Sequence, residues 1–443
     1  MSPHSAAPSI AAENADPAST RSAPLHRADP AAGLPGGKPS AAIRPTVLHM
    51  ANRAADALGL FRQPLSVPEM MSRATRDTGL ADFGDPSFEQ PLQVLVSSLE
   101  DEADLSPFGR LAARWDTQRF LQNLLMLREA EKRTPALLDE RIVRPIFITG
   151  LPRSGSTFLH HLFSKDPANL VVRCWETIAP FPGAEGATDT HESRVRRVDR
   201  QLARFRRLAP EFGGLHPMTA ESPQECTEIT AHVFQSLRFD TTHAVPSYLR
   251  WLDAAGHLAA YRFHQRFLRY LQHRKGPRQW ILKCPDHVFA LDAIRTVYPD
   301  ARFVFTHRNP LEVLPSVARL TEVLRWPFTR HVDRSRIGRQ VSDRWAEGAA
   351  VLTETASGAA GSVDGIVNLR FRSFIGDPVG SIAMIYERLG LSFSREAELR
   401  IRSFIAERPN GGYGNNRSKL QDFALDEGLE QHRYRDYIAQ FGV

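Results

Sequence analysis

The chain has 443 residues, 42% of them hydrophobic and 24% charged, with a formal net charge of +6. This is the balance of an ordinary soluble globular protein long enough for one large domain or two smaller ones. It contains no apolar run near the length that spans a bilayer and no charged, apolar and small-residue leader, so cytoplasmic residence is expected.

Residues 1–45 are rich in Ala, Pro, Ser and Gly and hold almost no large apolar residues. Such a segment cannot bury enough surface to offset its ordering entropy and reads as a disordered tail, with a cleaved targeting peptide as the lesser alternative. Residues 46–140 read as a helical subdomain. Met50, Ala54, Leu58 and Leu60 recur at helical spacing, as do Leu92, Val94, Leu95 and Leu99, and Asp116 to Lys132 carries Phe120, Leu121, Leu124, Leu125 and Leu127.

The texture changes at Pro145. Ile146-Phe147-Ile148-Thr149 is a short apolar run that meets a turn and then a helix from about Gly155 to Ser164. Similar runs follow at Trp280–Leu282, Arg302–Thr306 and Gly365–Leu369, separated by helical patterns such as Phe289–Tyr298 and Val379–Leu389. Strands alternating with helices predict an α/β fold around a parallel sheet over 141–443, with a mostly helical insertion at 180–276. Cys174, Cys226 and Cys284 are odd in number and far apart, so they suit neither a metal site nor a disulfide framework. Reduced cytosolic thiols account for them.

Gly150-Leu151-Pro152-Arg153-Ser154-Gly155-Ser156-Thr157 follows the first strand. A glycine, four residues and a second glycine make the first part of a phosphate loop. In a nucleotide triphosphatase a lysine would follow; here Ser156 stands there and the positive charge is at Arg153. Backbone N–H groups at a helix N-terminus hold anions, Gly155 permits close approach, and Ser154, Ser156 and Thr157 add hydroxyls. A capped helix start is the plainer alternative. The Phe303–Phe305 strand ends in Thr306-His307-Arg308, where a magnesium-binding aspartate would be expected, so a metal-dependent kinase is disfavoured.

Arg308 is followed by Asn309, by Pro310 at a predicted helix start, and by Ser316 inside that helix. A second cationic site at a neighbouring strand end suits a ligand with a second, separate phosphate. On these two motifs, in this order and separation, the chain resembles the sulfotransferase family that uses 3′-phosphoadenosine-5′-phosphosulfate (PAPS). The bacterial branch is similar also in Thr78–Gly84, Leu282-Lys283-Cys284-Pro285-Asp286-His287 and Asp422-Phe423-Ala424-Leu425. The likeness covers most of the chain beyond residue 46.

The resemblance implies a P-loop-like five-stranded parallel sheet and metal-free sulfuryl transfer. It implies that Pro152 to Thr157 bind the 5′-phosphosulfate and that Arg308 and Ser316 bind the 3′-phosphate. Two departures from the family pattern stand out. The tail has Arg417 and Lys419 where a histidine-containing basic run is usual, and Phe371 replaces an adenine-contacting tyrosine; a phenylalanine can stack but cannot hydrogen-bond.

Arg153 and Lys283 are the expected cations on the leaving-group side, Lys283 emerging from a strand end beside the loop. Glu176, placed as the glutamate of some branches, is the first candidate for general base. His287 is its rival because imidazole titrates near neutrality, and Glu225 and His216 follow. Glu176 could instead cap a helix, and His287 could be a buried core residue. The acceptor is expected to be a small molecule or lipid bearing a hydroxyl or amine, held by the insertion. The basic run Arg194–Arg207 suits at most a peripheral membrane contact, or simply a solvated helix face. A phosphate-loop kinase, a non-catalytic binder of PAPS or its bisphosphate product, and a nucleic-acid binder are the competing classes.

Overall fold

Ile146, Phe147 and Ile148 combine β-branched and aromatic side chains, and every residue of strand β1 (Ile146–Gly150) is buried. A strand buried on both faces needs helices over both, as in a parallel sheet. The computed structural model bears this out. It describes residues 45–443, apart from 183–188, 209–217, 358–364 and 409–417. The tail expected over 1–45 therefore lies outside the described residues, save its last one.

Five strands form one parallel sheet in the order β2-β3-β1-β4-β5. They are β1, β2 (Asn169–Leu170), β3 (Gln279–Lys283), β4 (Arg302–His307) and β5 (Ile366–Arg370). Side chains alternate along β1: Phe147 joins one buried cluster, while Ile146 and Ile148 join another with Phe158 and Leu162. The chain passes from β3 on one side of β1 to β4 on the other. Such a switch opens a crevice at the carboxyl ends of the strands, and Gly150, Lys283, His307 and Arg370 all end their strands there.

The amino-terminal segment folds into α1 (Pro45–Ala57), α2 (Val67–Thr78), α3 (Glu89–Asp101) and α4 (Pro107–Arg133). Ser106 starts α4 by accepting from the Gly109 N–H at 3.0 Å, with Pro107 in the first turn. Leu92, Phe120 and Leu124 share one buried cluster with Trp280 and Phe303, so these helices and the sheet have a common core. Three further helices matter to the site: α5 (Ser156–Phe163), α6 (Cys174–Ile178) and α7 (His191–Leu208).

Five histidines are packed inside: His160, His232, His264, His287 and His307, none more than 2% exposed. His232 accepts from the Asn123 amide at 3.0 Å and donates to the Glu228 carbonyl at 2.8 Å. His307 donates to Asn368 at 2.9 Å, accepts from the Tyr437 hydroxyl at 3.0 Å and stacks on Phe441. These partners suit neutral rings. Burial lowers all five pKa values, to about 3 for His232 and His264 and about 4 for His307.

Candidate active site

The loop after β1 is shaped by its two glycines. Gly150 has φ 141°, and a Cβ there would sit 2.1 Å from the Thr306 carbonyl oxygen at the end of β4. Gly155 has φ 88° and precedes α5, where no side chain caps the first turn. The N–H groups of that turn are thus left for a ligand. Between them Arg153 takes a left-handed backbone, φ 62°.

The loop's hydroxyls divide in their roles. Ser154 is fully buried, donates to the Leu151 carbonyl at 2.5 Å and meets the Thr306 hydroxyl at 2.6 Å. It closes the loop from behind, which corrects the expectation that its hydroxyl serves a ligand. Ser156 and Thr157 line a cleft of about 1360 Å³, together with Pro152, Arg153 and Gly155. Thr157 Oγ1 accepts from Lys283 Nζ at 2.8 Å, and the same ammonium pairs with Glu225.

The second motif closes onto the first. Arg308 donates from Nη1 to the Arg153 carbonyl at 3.0 Å, pairs with Glu312 at 3.0 Å and lays its guanidinium 4.3 Å from the Phe371 ring centroid. Arg153 Nε donates to Ser316 Oγ at 3.1 Å. Ser316, Arg308 and Phe371 all line the cleft, as does Lys419. Arg417 and His216 lie outside the described residues.

The two leading base candidates stand elsewhere. Glu176 is 1% exposed; it accepts from the Arg173 N–H at 2.9 Å and pairs with Lys275 at 2.6 Å. It is the third residue of α6 and reaches back to cap that helix, the plainer of its two readings. His287 is fully buried beside Tyr261 and Phe147, and its Nε2 has no hydrogen-bond partner among the described residues. Burial, with His264 and Lys283 nearby, keeps it neutral. Neither lines the cleft, so the ordering that put Glu176 and His287 first does not match the geometry. Glu225 does line it, and so does Asp286, whose carboxyl burial and Glu225 push up to about 7 against the pull of Arg344.

The cleft also holds a group that the sequence did not disclose. Asp116 bridges Arg119 at 2.6 Å and Arg238 at 2.5 Å, and both arginines also pair with Glu228. Burial pushes the Asp116 carboxyl up, but Arg238 and Arg119 outweigh it and hold it at about 2. Asp116 and Arg119 were visible as an i, i+3 pair on α4. Their partners come from more than a hundred residues away and carry no local signal. The cleft wall also has an apolar part, with Phe108, Trp115, Leu202, Phe205, Leu324 and Phe328.

The sulfotransferase family, through its sequence model, matches residues 145–395. The chain belongs to the sulfotransferase family. A solved structure of sulfotransferase STF1 from Mycobacterium tuberculosis H37Rv is 29% identical, with a TM-score of 0.73 over 84% of this chain and 98% of that one. Sulfotransferase STF9 from Mycobacterium avium shares the fold at 24% identity, TM-score 0.77, over 86% of this chain and 98% of its own. Omega-hydroxy-beta-dihydromenaquinone-9 sulfotransferase Stf3 of Mycobacterium bovis is 25% identical over 276 residues, 59% of this chain and 67% of that protein. The bacterial sulfotransferase resemblance and the α/β fold class read from the sequence both hold. Membership makes this a sulfotransferase enzyme and implies a sulfonate donor.

Proposed function

We propose that this sulfotransferase moves the sulfuryl group of PAPS onto a hydroxyl of a lipid-like acceptor, with Glu225 as general base. The observation that carries the reading is the Lys283 ammonium. It bridges Thr157 in the anion loop and Glu225 on the cleft wall, so donor-side and acceptor-side groups meet at one charge.

The residues fit a ligand with two separate anions. The uncapped turn of α5, Thr157 and Lys283 form one cradle, and Arg308 with Ser316 forms the other. Arg153 extends to Ser316, so we assign it to the 3′-phosphate side and give the leaving group to Lys283. Phe371 takes the base-stacking side, next to Arg308. Glu225 accepts the proton of the acceptor hydroxyl as its oxygen bonds to sulfur. The bond from sulfur to the bridging phosphate oxygen breaks, and Lys283 with the α5 N–H groups meets the charge left on that oxygen. The apolar part of the cleft wall, and a relative whose name gives a menaquinone derivative as its substrate, support a lipid-like acceptor.

Thermal shift tests the donor. The bisphosphate product, 3′-phosphoadenosine 5′-phosphate, should raise the melting temperature where ATP does not; ligand at 100 times Kd adds about 2.7 kcal/mol. Arg308→Ala should abolish the shift. Equal stabilisation by ATP would refute the two-anion reading and revive the kinase class.

The base is tested by substitution. Glu225→Gln should lower kcat by about 10²-fold or more, the scale of a lost general base. Glu176→Gln should lower the melting temperature and leave kcat within a few-fold. The reverse pattern would return the role to Glu176.

A further inference from the structure

We infer that the rim of the acceptor cleft is a docking surface for an anionic phospholipid bilayer, an inference that deepens the lipid-acceptor reading and rests on it for its purpose. Three observations converge on this rim.

The first is charge. Helix α7 carries seven arginines against two acids, a net +5 on 18 residues when the whole chain is only +6. Arg196, Arg200 and Arg204 are exposed at i, i+4 and i+8, one stripe along the helix, with Arg207 beside it. Arg194 and Arg206 are spent inward, on the carbonyls of Pro180 and Met218. The two acids do not cancel the stripe: Asp199 accepts from the Ala220 N–H at 2.8 Å, and Glu192 lies in the first turn at the far end.

The second is the opposite edge of the same helix. Leu202, Phe205 and Leu208 line the cleft with Gln201 and Arg204, so α7 turns a largely apolar edge to the cavity, while Arg196, Arg200 and Arg207 stay outside it. Phe205 stacks on Phe328 at 6.2 Å, and Phe328 on Phe108 at 6.0 Å, which carries the rim across to α4.

The third is apolar exposure. Twelve large hydrophobic side chains are exposed among the described residues, and seven fall on α1, the turn after it and α4. Trp115 is 50% exposed while lining the cleft, Leu111 is 42% exposed, and Met50 on α1 is 67% exposed. The Phe108 N–H donates to Asn52 of α1 at 3.1 Å, so α1 adjoins the same rim. Scattered exposed leucines need no explanation, but a contiguous patch marks an interaction site.

Arginines beside aromatic and aliphatic side chains at one edge match a bilayer surface, where cations meet lipid phosphates and the apolar groups enter the acyl boundary. No described helix is long and apolar enough to cross a membrane. An apolar acceptor could then pass from the leaflet into the cleft without crossing water.

The test is co-sedimentation of the full chain with vesicles of phosphatidylcholine alone or mixed with phosphatidylglycerol. Binding is expected to the mixed vesicles, weakening as salt rises. Arg196→Glu with Arg200→Glu and Arg207→Glu should lower that affinity by about a hundredfold or more, at about 1 kcal/mol per basic residue. Met50→Asp with Leu111→Asp should lower it independently. All these variants should keep the thermal shift given by the bisphosphate product, because none of the five residues lines the cleft.

The inference fails if the chain ignores mixed vesicles or if the variants bind them like the parent. It fails if the chain is a dimer in solution whose contact buries Met50 and Leu111. It fails too if heparin binds as tightly as the vesicles and neither aspartate substitution matters, which would mark a general polyanion site. Vesicle binding without sulfation of any lipid alcohol would leave the docking surface standing and remove the acceptor reading instead.

Discussion

Lys283→Met should lower kcat by about 10²–10³-fold, the cost of losing one preorganised donor at a developing oxyanion. The residue is the last of β3 and its side chain is only 2% exposed, held between Thr157 and Glu225. Methionine keeps the length and apolar stem and removes the ammonium. Affinity for the bisphosphate product should fall far less than kcat, because Arg308, Ser316 and the α5 turn remain. Single-turnover kinetics beside a product-binding isotherm would separate the two. Loss of both in equal measure would make Lys283 a binding residue only.

Acidification should unfold the protein well above the pH that protonates ordinary carboxylates. His160, His232, His264, His287 and His307 are buried and their pKa values lie below the ordinary 6.5. Between those values and 6.5 the unfolded chain binds protons that the folded chain does not, so stability falls as pH falls. At pH 5.5 each of His232, His264 and His307 costs about 1.4 kcal/mol, about 4 kcal/mol together, against a total domain stability of about 5–15 kcal/mol, and His160 and His287 act in the same direction. Asp286, raised to about 7, titrates with the opposite sign and returns about 1–2 kcal/mol over the same interval. The melting temperature should therefore drop steeply from pH 7 to 5. His243 and His257, held by burial at about 3 and about 4, add to the five, so calorimetry in buffers of different ionisation heat should show net uptake of about four to six protons on unfolding near pH 5.5. Uptake of fewer than about two would mean these rings are not held neutral.

What could be read from the sequence followed how local each signal was. β1, the glycine-bounded loop and α5 form one continuous stretch, and their pattern of burial, turn and helix was plain in Ile146 to Phe163. The Arg308–Ser316 motif was equally local. β2 was missed because two residues, Asn169 and Leu170, cannot show a period. Glu176 stayed ambiguous because a glutamate at the third helical position looks the same from sequence whether it caps or catalyses; the cap needs the Arg173 N–H, which only folding supplies. His287 follows Lys283 closely, yet the 3₁₀ turn Pro285–Ala290 carries it into the core against Tyr261 while leaving Asp286 at the cleft. Glu225 reaches Lys283 across 58 residues of chain, and the Asp116 network spans a greater distance still. Side-chain chemistry assembled by long-range closure leaves no mark on spacing.

The hydrogen bond from Arg308 to the Arg153 carbonyl has a consequence for discrimination. That carbonyl belongs to the loop that leads into α5, so on the proposed reading the two anion sites are joined by one mechanical unit. A nucleotide lacking the remote phosphate forfeits more than one contact. On the proposed reading it leaves the Arg308 charge without the anion assigned to it, and because one backbone joins the two sites the losses need not add independently. On that reading selectivity behaves as a checkpoint that works in both directions: each end of the ligand is gripped firmly only when the other is in place.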